Sequence, residues 1–186
     1  MSALQTSFLP ATHDPGGRSK PRWPVGSLIN ARFSDCGRYR YELSEIWDPA
    51  LPLVAFLCMN PSTARIEHAD PTLIRTGSFA RKWNYGGQLI ANVHAYRITD
   101  SKRLVEADDP VGPENDAAIL SMAARASIVV LAYGQPPKPL RARADAVVAM
   151  LADAGARLTY LRLSMGGVPM HPLYLPGTLV PQDYAR

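Results

Sequence analysis

Leu53 to Ala64, LVAFLCMNPSTA, constrains the fold more than any other stretch. Its first half is a continuous apolar run, the pattern of a strand covered on both faces, and it stops at once on Asn60, Pro61, Ser62 and Thr63. A buried strand that delivers a polar turn is how open α/β sheets build a site, because ligands bind in the crevice beyond the carboxyl ends of the strands. The same four residues would also make a plain turn, since Pro fixes φ and Asn or Ser bonds back to the backbone. Two later strands favour the site: LIANVHAYR ends on Asn92 and His94, and VVLAYG on Tyr133 and Gly134. The chain then arrives at His171 in MHPLYLP.

The flanking segments predict the architecture. SLINARF and RYRYELSEIW are rich in β-branched and aromatic residues and are separated by Ser34, Asp35, Cys36 and Gly37, which predicts a β-hairpin added at the sheet edge. Within it Arg38, Tyr39, Arg40 and Tyr41 interleave cations with rings, which fits either nucleic-acid contact or a strand with one wet face. Asp70 and Pro71 read as N-cap and first residue of a helix that ends near Gly86 and Gly87, with Leu73, Ile74, Phe79 and Trp83 on its apolar side. A strand from Gln88 to Tyr96 follows. A helix opened by Pro113 and Glu114, the strand SIVVLAYG, a helix from about Leu140 to Ala154 and the strand RLTYLRL complete the order. Such alternation predicts a three-layer α/β/α sandwich with a mostly parallel central sheet, joined by right-handed crossovers, plus the N-terminal hairpin. Residues 1–25, rich in Pro, Gly and polar side chains, read as a flexible arm, and 26–186 as one domain.

Charge and cysteine use narrow the setting. The net charge of +4 permits a polyanionic partner without requiring one. Arg75, Arg81, Lys82 and Arg97 would face a phosphate backbone, and Arg18, Lys20 and Arg22 could add to them. Cys36 and Cys58 are the two cysteines, and Cys58 falls inside the buried run, so a reducing cytoplasm is expected. No apolar stretch approaches the ~20 residues of a membrane helix, and the N-terminal segment lacks the pattern of a signal peptide. A cytoplasmic monomer without a membrane partner is the expectation.

The ordered motifs MNPSTA, ADPTLIR, FARKWNYGG, NVHAYRITD, DPVGPEND and HPLYLP resemble a family of bacterial and phage proteins known chiefly as a domain of unknown function, over roughly Tyr39 to Pro176. More remotely, their placement is similar to the uracil-DNA glycosylase superfamily. There a first strand ends in an Asn-Pro-Gly type motif that positions water, which Asn60 and Pro61 match. A later strand carries an Asn that reads the base edge, the place of Asn92. The closing motif, His-Pro-Ser-Pro-Leu, supplies a His for the base carbonyl and a Leu that fills the space of the flipped base, matched by His171, Pro172 and Leu175. Cys58 and Ser62 stand where that superfamily has glycines, and Leu173 replaces its phosphate-contacting Ser. Glycine permits close approach of backbone to ligand, so side chains at these positions reshape the pocket and leave the base unassigned.

The chemistry implied is recognition of a nucleobase and hydrolysis of its N-glycosidic bond, on DNA rather than RNA or on a free nucleotide. Such a reaction needs a donor at the departing base, a positioned water at the sugar and groups that hold the base. His171 would donate and Asn60 would orient water, as the catalytic pair. Asn92, His94, Pro61, Ser62 and Leu175 would line the base site, with Phe79, Trp83 or Tyr85 as stacking rings. Because an amide cannot accept a proton as a carboxylate can, a binding module without turnover is the alternative. A metal-dependent hydrolase using His68, Asp70 and His94 is a third reading, though the helical His-Glu-His spacing is missing. Ser62 lacks the glycines of a nucleophile elbow, and no phosphate-cradling glycine loop occurs, so neither metal nor cofactor is expected.

Overall fold

The computed structural model describes residues 22–63 and 68–185. The arm expected over 1–25, with Arg18 and Lys20, therefore lies almost wholly outside the described residues. A hairpin opens the fold: β1 (Leu28–Phe33) and β2 (Arg40–Ile46) pair antiparallel. The buried run forms β3 (Leu53–Cys58), followed by α1 (Pro71–Lys82) and β4 (Gly87–Asn92). Next come α2 (Asn115–Ala124), β5 (Ile128–Leu131), α3 (Arg141–Asp153), β6 (Leu158–Tyr160) and a short β7 (Gln182–Asp183). No helix among the described residues is long and apolar enough to cross a membrane.

All seven strands lie in one sheet, in the order β1-β2-β4-β3-β5-β6-β7. The sheet is mixed rather than mostly parallel. β4, β3, β5 and β6 run parallel, whereas β1 with β2, β2 with β4, and β6 with β7 are antiparallel. The correction arises at both flanks. The hairpin joins the sheet through β2, which pairs with β4 from Leu43 opposite Ile90 to Ile46 opposite Gly87. At the other edge β7 folds back on β6, a strand too short and polar to announce itself in sequence.

Period-two alternation in the central strands separates two cores. Ala55 and Leu57 pack with Leu89, Ile119, Met122, Val147 and Leu151, so α2 and α3 cover one face. Val54 and Phe56 pack with Leu73, Phe79 and Ala80, so α1 covers the other. β3 connects through α1 to β4 on one side, and β4 connects back across β3 to β5 on the other. The strand order therefore reverses between β3 and β5, and a crevice opens outside their carboxyl ends.

Two local departures from the sequence reading bear on the site. α1 begins as expected, with Asp70 accepting the Leu73 N–H at 2.9 Å, but it stops at Lys82 because Asn84 adopts φ +62, the left-handed stop that Asn tolerates. β4 ends at Asn92 rather than Tyr96. The N–H groups of Val93 and His94 turn to the carbonyls of Cys58 and Met59, at 2.9 and 3.0 Å. Asn115, buried at the start of α2, donates to the carbonyls of Asn92 and Val93 at 3.1 Å each and fixes the bend.

Candidate functional site

The crevice has a volume of about 400 Å³ and collects side chains from the ends of all three neighbouring strands. Asn60 and Ser62 follow β3, Asn92 closes β4, Tyr133 and Gly134 follow β5, and His171 and Tyr174 come from the segment after β6. Asn60, Asn92 and His171, far apart in sequence, line the same space.

Their hydrogen bonds define what each presents. Asn60 Nδ2 donates to the carbonyl of Ile98 at 2.6 Å and to that of Pro61 at 3.1 Å. The amide is thereby oriented with Oδ1 as its remaining acceptor. His171 Nδ1 accepts the N–H of Leu173 at 3.3 Å, capping the 3-10 turn Pro172–Tyr174. Burial pushes the imidazole pKa down, opposed by the Asp70 carboxylate, so the ring is neutral at neutral pH. With Nδ1 accepting, the neutral ring carries its proton on Nε2 and is a donor there. Asn92 is 2% exposed, yet its side-chain amide makes no hydrogen bond with any described residue, so its donor and its acceptor are both available to an occupant of the crevice.

Around these three sits a charged pair of walls. Asp70 lines the crevice with one oxygen held by the Leu73 N–H and the other by Ser62 Oγ at 3.1 Å. Arg40 lines it as well, although the residue is 4% exposed. Burial lowers the guanidinium pKa to about 10, with Asp70 opposing and Arg97 reinforcing the shift, so it remains a cation at neutral pH. Cys58 also borders the space, but burial, and then Asp70, push its thiol up to about 12, with Arg40 opposing. It is a protonated thiol and no nucleophile there.

Other sequence candidates are placed elsewhere. His94 lies past the end of β4 in the chain's bend, fully buried and outside the crevice lining, so the strand period that would align it with Asn92 does not operate. Phe79 is 1% exposed and stacks on Trp83 at 5.2 Å in the core under α1. Leu175 is buried in the same core, where its burial leaves no wedge to insert. Pro61 is buried behind the turn, and its carbonyl accepts from Asn60 and from the Ile98 N–H.

The four expected backbone-binding cations are engaged internally and do not line the crevice. Arg75 donates to the Leu175 carbonyl and lies over Phe79, and Lys82 donates to the Gly177 carbonyl at 3.1 Å. Arg81 pairs with buried Glu45 at 2.8 Å and lies 3.7 Å over Trp47. Arg97 donates to the carbonyls of Gly37 and Thr63 and lies over Phe33. Nor do His68, Asp70 and His94 assemble, since among the described residues no three His, Cys, Asp or Glu side chains converge as metal ligands.

Arg40, Asp70 and Tyr174 line the crevice although the sequence reading did not place them in the base site. Arg40 was visible in the RYRY run, and further along β2 half-exposed Glu42, Ser44 and Ile46 alternate with buried Leu43 and Glu45, but Arg40 is itself buried under the crevice, opposite Tyr39 and Tyr41, which pack against Ala95 and Ala118. Tyr174 is 84% exposed at the rim, the one large exposed ring there among the described residues.

The family model described as "Protein of unknown function (DUF1643)" matches residues 40–173, a span that contains every lining residue named above except Tyr174. No curated protein and no solved structure matches the chain.

Proposed function

This chain belongs to the DUF1643 family, and we propose that it recognises a nucleobase and hydrolyses the N-glycosidic bond that carries it. The observation that carries this reading is Asn92, a buried amide with no partner among the described residues, set in the same crevice as the neutral His171 ring and the Asn60 acceptor. The oxygen and nitrogen of that amide open onto the crevice rather than into the core, and a base edge offers the matching donor and acceptor side by side. The strand-end Asn60-Pro61, the strand-end Asn92 and the late His171-Pro172 are in keeping with remote kinship to the uracil-DNA glycosylase superfamily, which we propose for the α/β fold.

In the reaction the C1′–N bond breaks with its electron pair leaving on the base, and a C1′–O bond forms to water. Of the water's two protons, one stays on the sugar hydroxyl and the other ends on the base, so one water is consumed and nothing else. His171 Nε2–H stabilises the charge that develops on the departing base. Asn60 Oδ1 orients the water but cannot take its proton; Asp70, the carboxylate of the crevice, is chemically able to. Tyr174 stacks on the base from the rim.

The test is a panel of oligonucleotides and free nucleotides bearing ordinary and modified bases, scored for released base. Asn60→Ala should cut turnover at least about a hundredfold with little change in affinity, whereas Asn92→Ala should weaken binding itself. Tight binding with no released base from any substrate would instead make the protein a binding module. Turnover unchanged in both Asn60→Ala and His171→Ala would remove the site assignment.

A further inference from the structure

Arg40 opens β2, held by its N–H on the Ala95 carbonyl at 3.0 Å, and its side chain runs under the crevice. The residue is 4% exposed, Nε has no hydrogen-bond partner, and none of the ion pairs among the described residues includes it. A buried guanidinium with no ion pair in direct contact is an unfavourable arrangement for a fold to keep, unless something anionic arrives to complete it. Asp70 is close enough to favour the charged form, but it is held by Leu73 and Ser62 and makes no direct ion pair with Arg40. The N-terminal turn of α1 reaches the same space through Thr72 and Leu73, which adds the positive end of a helix of 12 residues.

The kind of anion follows from where the other cations are. A polymer backbone is tracked by a row of free Lys and Arg side chains leading away from the site. Here Arg75, Arg81, Lys82 and Arg97 are spent on carbonyls, a buried glutamate and aromatic faces, and among the described residues Arg40 is the one cationic side chain lining the crevice. One enclosed cation beside a base-reading amide, in about 400 Å³, suits a ligand with a single phosphate. We propose that the ligand is a free mononucleotide, a nucleoside monophosphate whose phosphate pairs with the Arg40 guanidinium while its base faces Asn92. The inference rests on the base-recognition reading above.

Calorimetric titration tests it with the common 2′-deoxynucleoside 5′-monophosphates, the matching nucleosides, deoxyribose 5-phosphate and a short single-stranded oligonucleotide. The best nucleotide should bind at least about tenfold more tightly than its nucleoside, the usual worth of a charge-assisted contact. Arg40→Met should bring that ratio to about one, and Arg40→Lys should retain part of it, since lysine keeps the charge and loses the planar fork. Should Arg40→Met not fold, the ratio in Arg40→Lys decides. A wild-type ratio near one, a ratio that neither variant lowers, no measurable binding of any nucleotide, or an oligonucleotide bound about tenfold more tightly than the nucleotide would each overturn the proposal. Failure of the base reading is separate: deoxyribose 5-phosphate would then bind as tightly as the nucleotide, and Asn92→Ala would change neither, even with the Arg40 ratio intact. That result overturns the nucleotide too.

Discussion

His171 Nδ1 accepts the backbone N–H of Leu173 at 3.3 Å, so the crevice receives a neutral Nε2–H donor rather than an imidazolium. Burial, partly opposed by Asp70, holds the pKa below its ordinary value, and protonation of Nδ1 would break this bond. Binding and turnover should therefore stay level as pH falls through the ordinary histidine value of about 6.5 and decline only below it. In His171→Gln, which keeps a donor but cannot titrate, that acid decline should disappear from the pH profile of kcat/KM.

Gly134 sets the other side of the same ring. Its φ is +66, and a Cβ there would stand 3.3 Å from His171 Cβ. Gly134→Ala should cost at least about 1 kcal/mol in urea unfolding and weaken ligand binding by displacing the ring. Binding unchanged at reduced stability would detach His171 from the ligand.

The elements that sequence made legible are those with strong local signals. The buried run of β3, the Asp70-Pro71 start of α1 and the polar residues at strand ends each rest on the chemistry of a few neighbours, and Asn60, Asn92 and His171 do share one crevice. What sequence could not show depends on partners far along the chain. His94 was aligned with Asn92 by strand period, but Asn115, 23 residues beyond Asn92, bends the strand before His94 is reached. Arg81 looked like a surface cation because Glu45, 36 residues earlier, is what claims it. Arg40 read as one of a wet alternation, which β2 keeps from Glu42 to Ile46, because nothing local reveals that Arg40 itself lies under the crevice.

Arg81 is accordingly a structural residue. Glu45 is 1% exposed and is satisfied by Arg81 at 2.8 Å, Gln88 at 2.6 Å and Ser27 at 2.8 Å. Arg81→Met leaves that carboxylate short of its cation and should cost about 2 kcal/mol, measured from denaturant midpoints, the outer end of the pair being partly solvated. Nucleotide affinity and its salt dependence should not change. A lowered salt slope would return Arg81 to the ligand.

His94 should dominate the acid sensitivity of the fold. It is fully buried, and burial, reinforced by the Arg143 guanidinium and only partly opposed by the Met59 backbone, pushes its pKa down to about 4. The unfolded chain, with a pKa near 6.5, binds the proton first, so this neutral ring contributes stability that is complete above about pH 6.5 and is lost as pH falls toward 4. The loss should be on the order of 2 kcal/mol. In His94→Leu, the denaturation midpoint should fall less steeply over that interval than in the wild type. Equal slopes would mean that His94 is protonated in the native state.

Phe79 and Tyr174 separate packing from recognition. Phe79 is buried against Trp83, which also stacks on Phe56, with Arg75 over the Phe79 ring, whereas Tyr174 is 84% exposed at the crevice rim, its ring centroid 6.4 Å from that of His171. Removing the first opens a cavity, so Phe79→Ala should cost about 3–5 kcal/mol of stability. Removing the second takes away exposed surface that supports no core, so Tyr174→Ala should alter stability by less than about 0.5 kcal/mol. If that ring stacks on a base, the same change should weaken nucleotide binding by about 1–3 kcal/mol while leaving deoxyribose 5-phosphate unaffected, because a sugar phosphate offers no π-face. Titration of both ligands into wild type and Tyr174→Ala decides it: equal losses for the two would show that the ring shapes the mouth of the crevice and does not read a base.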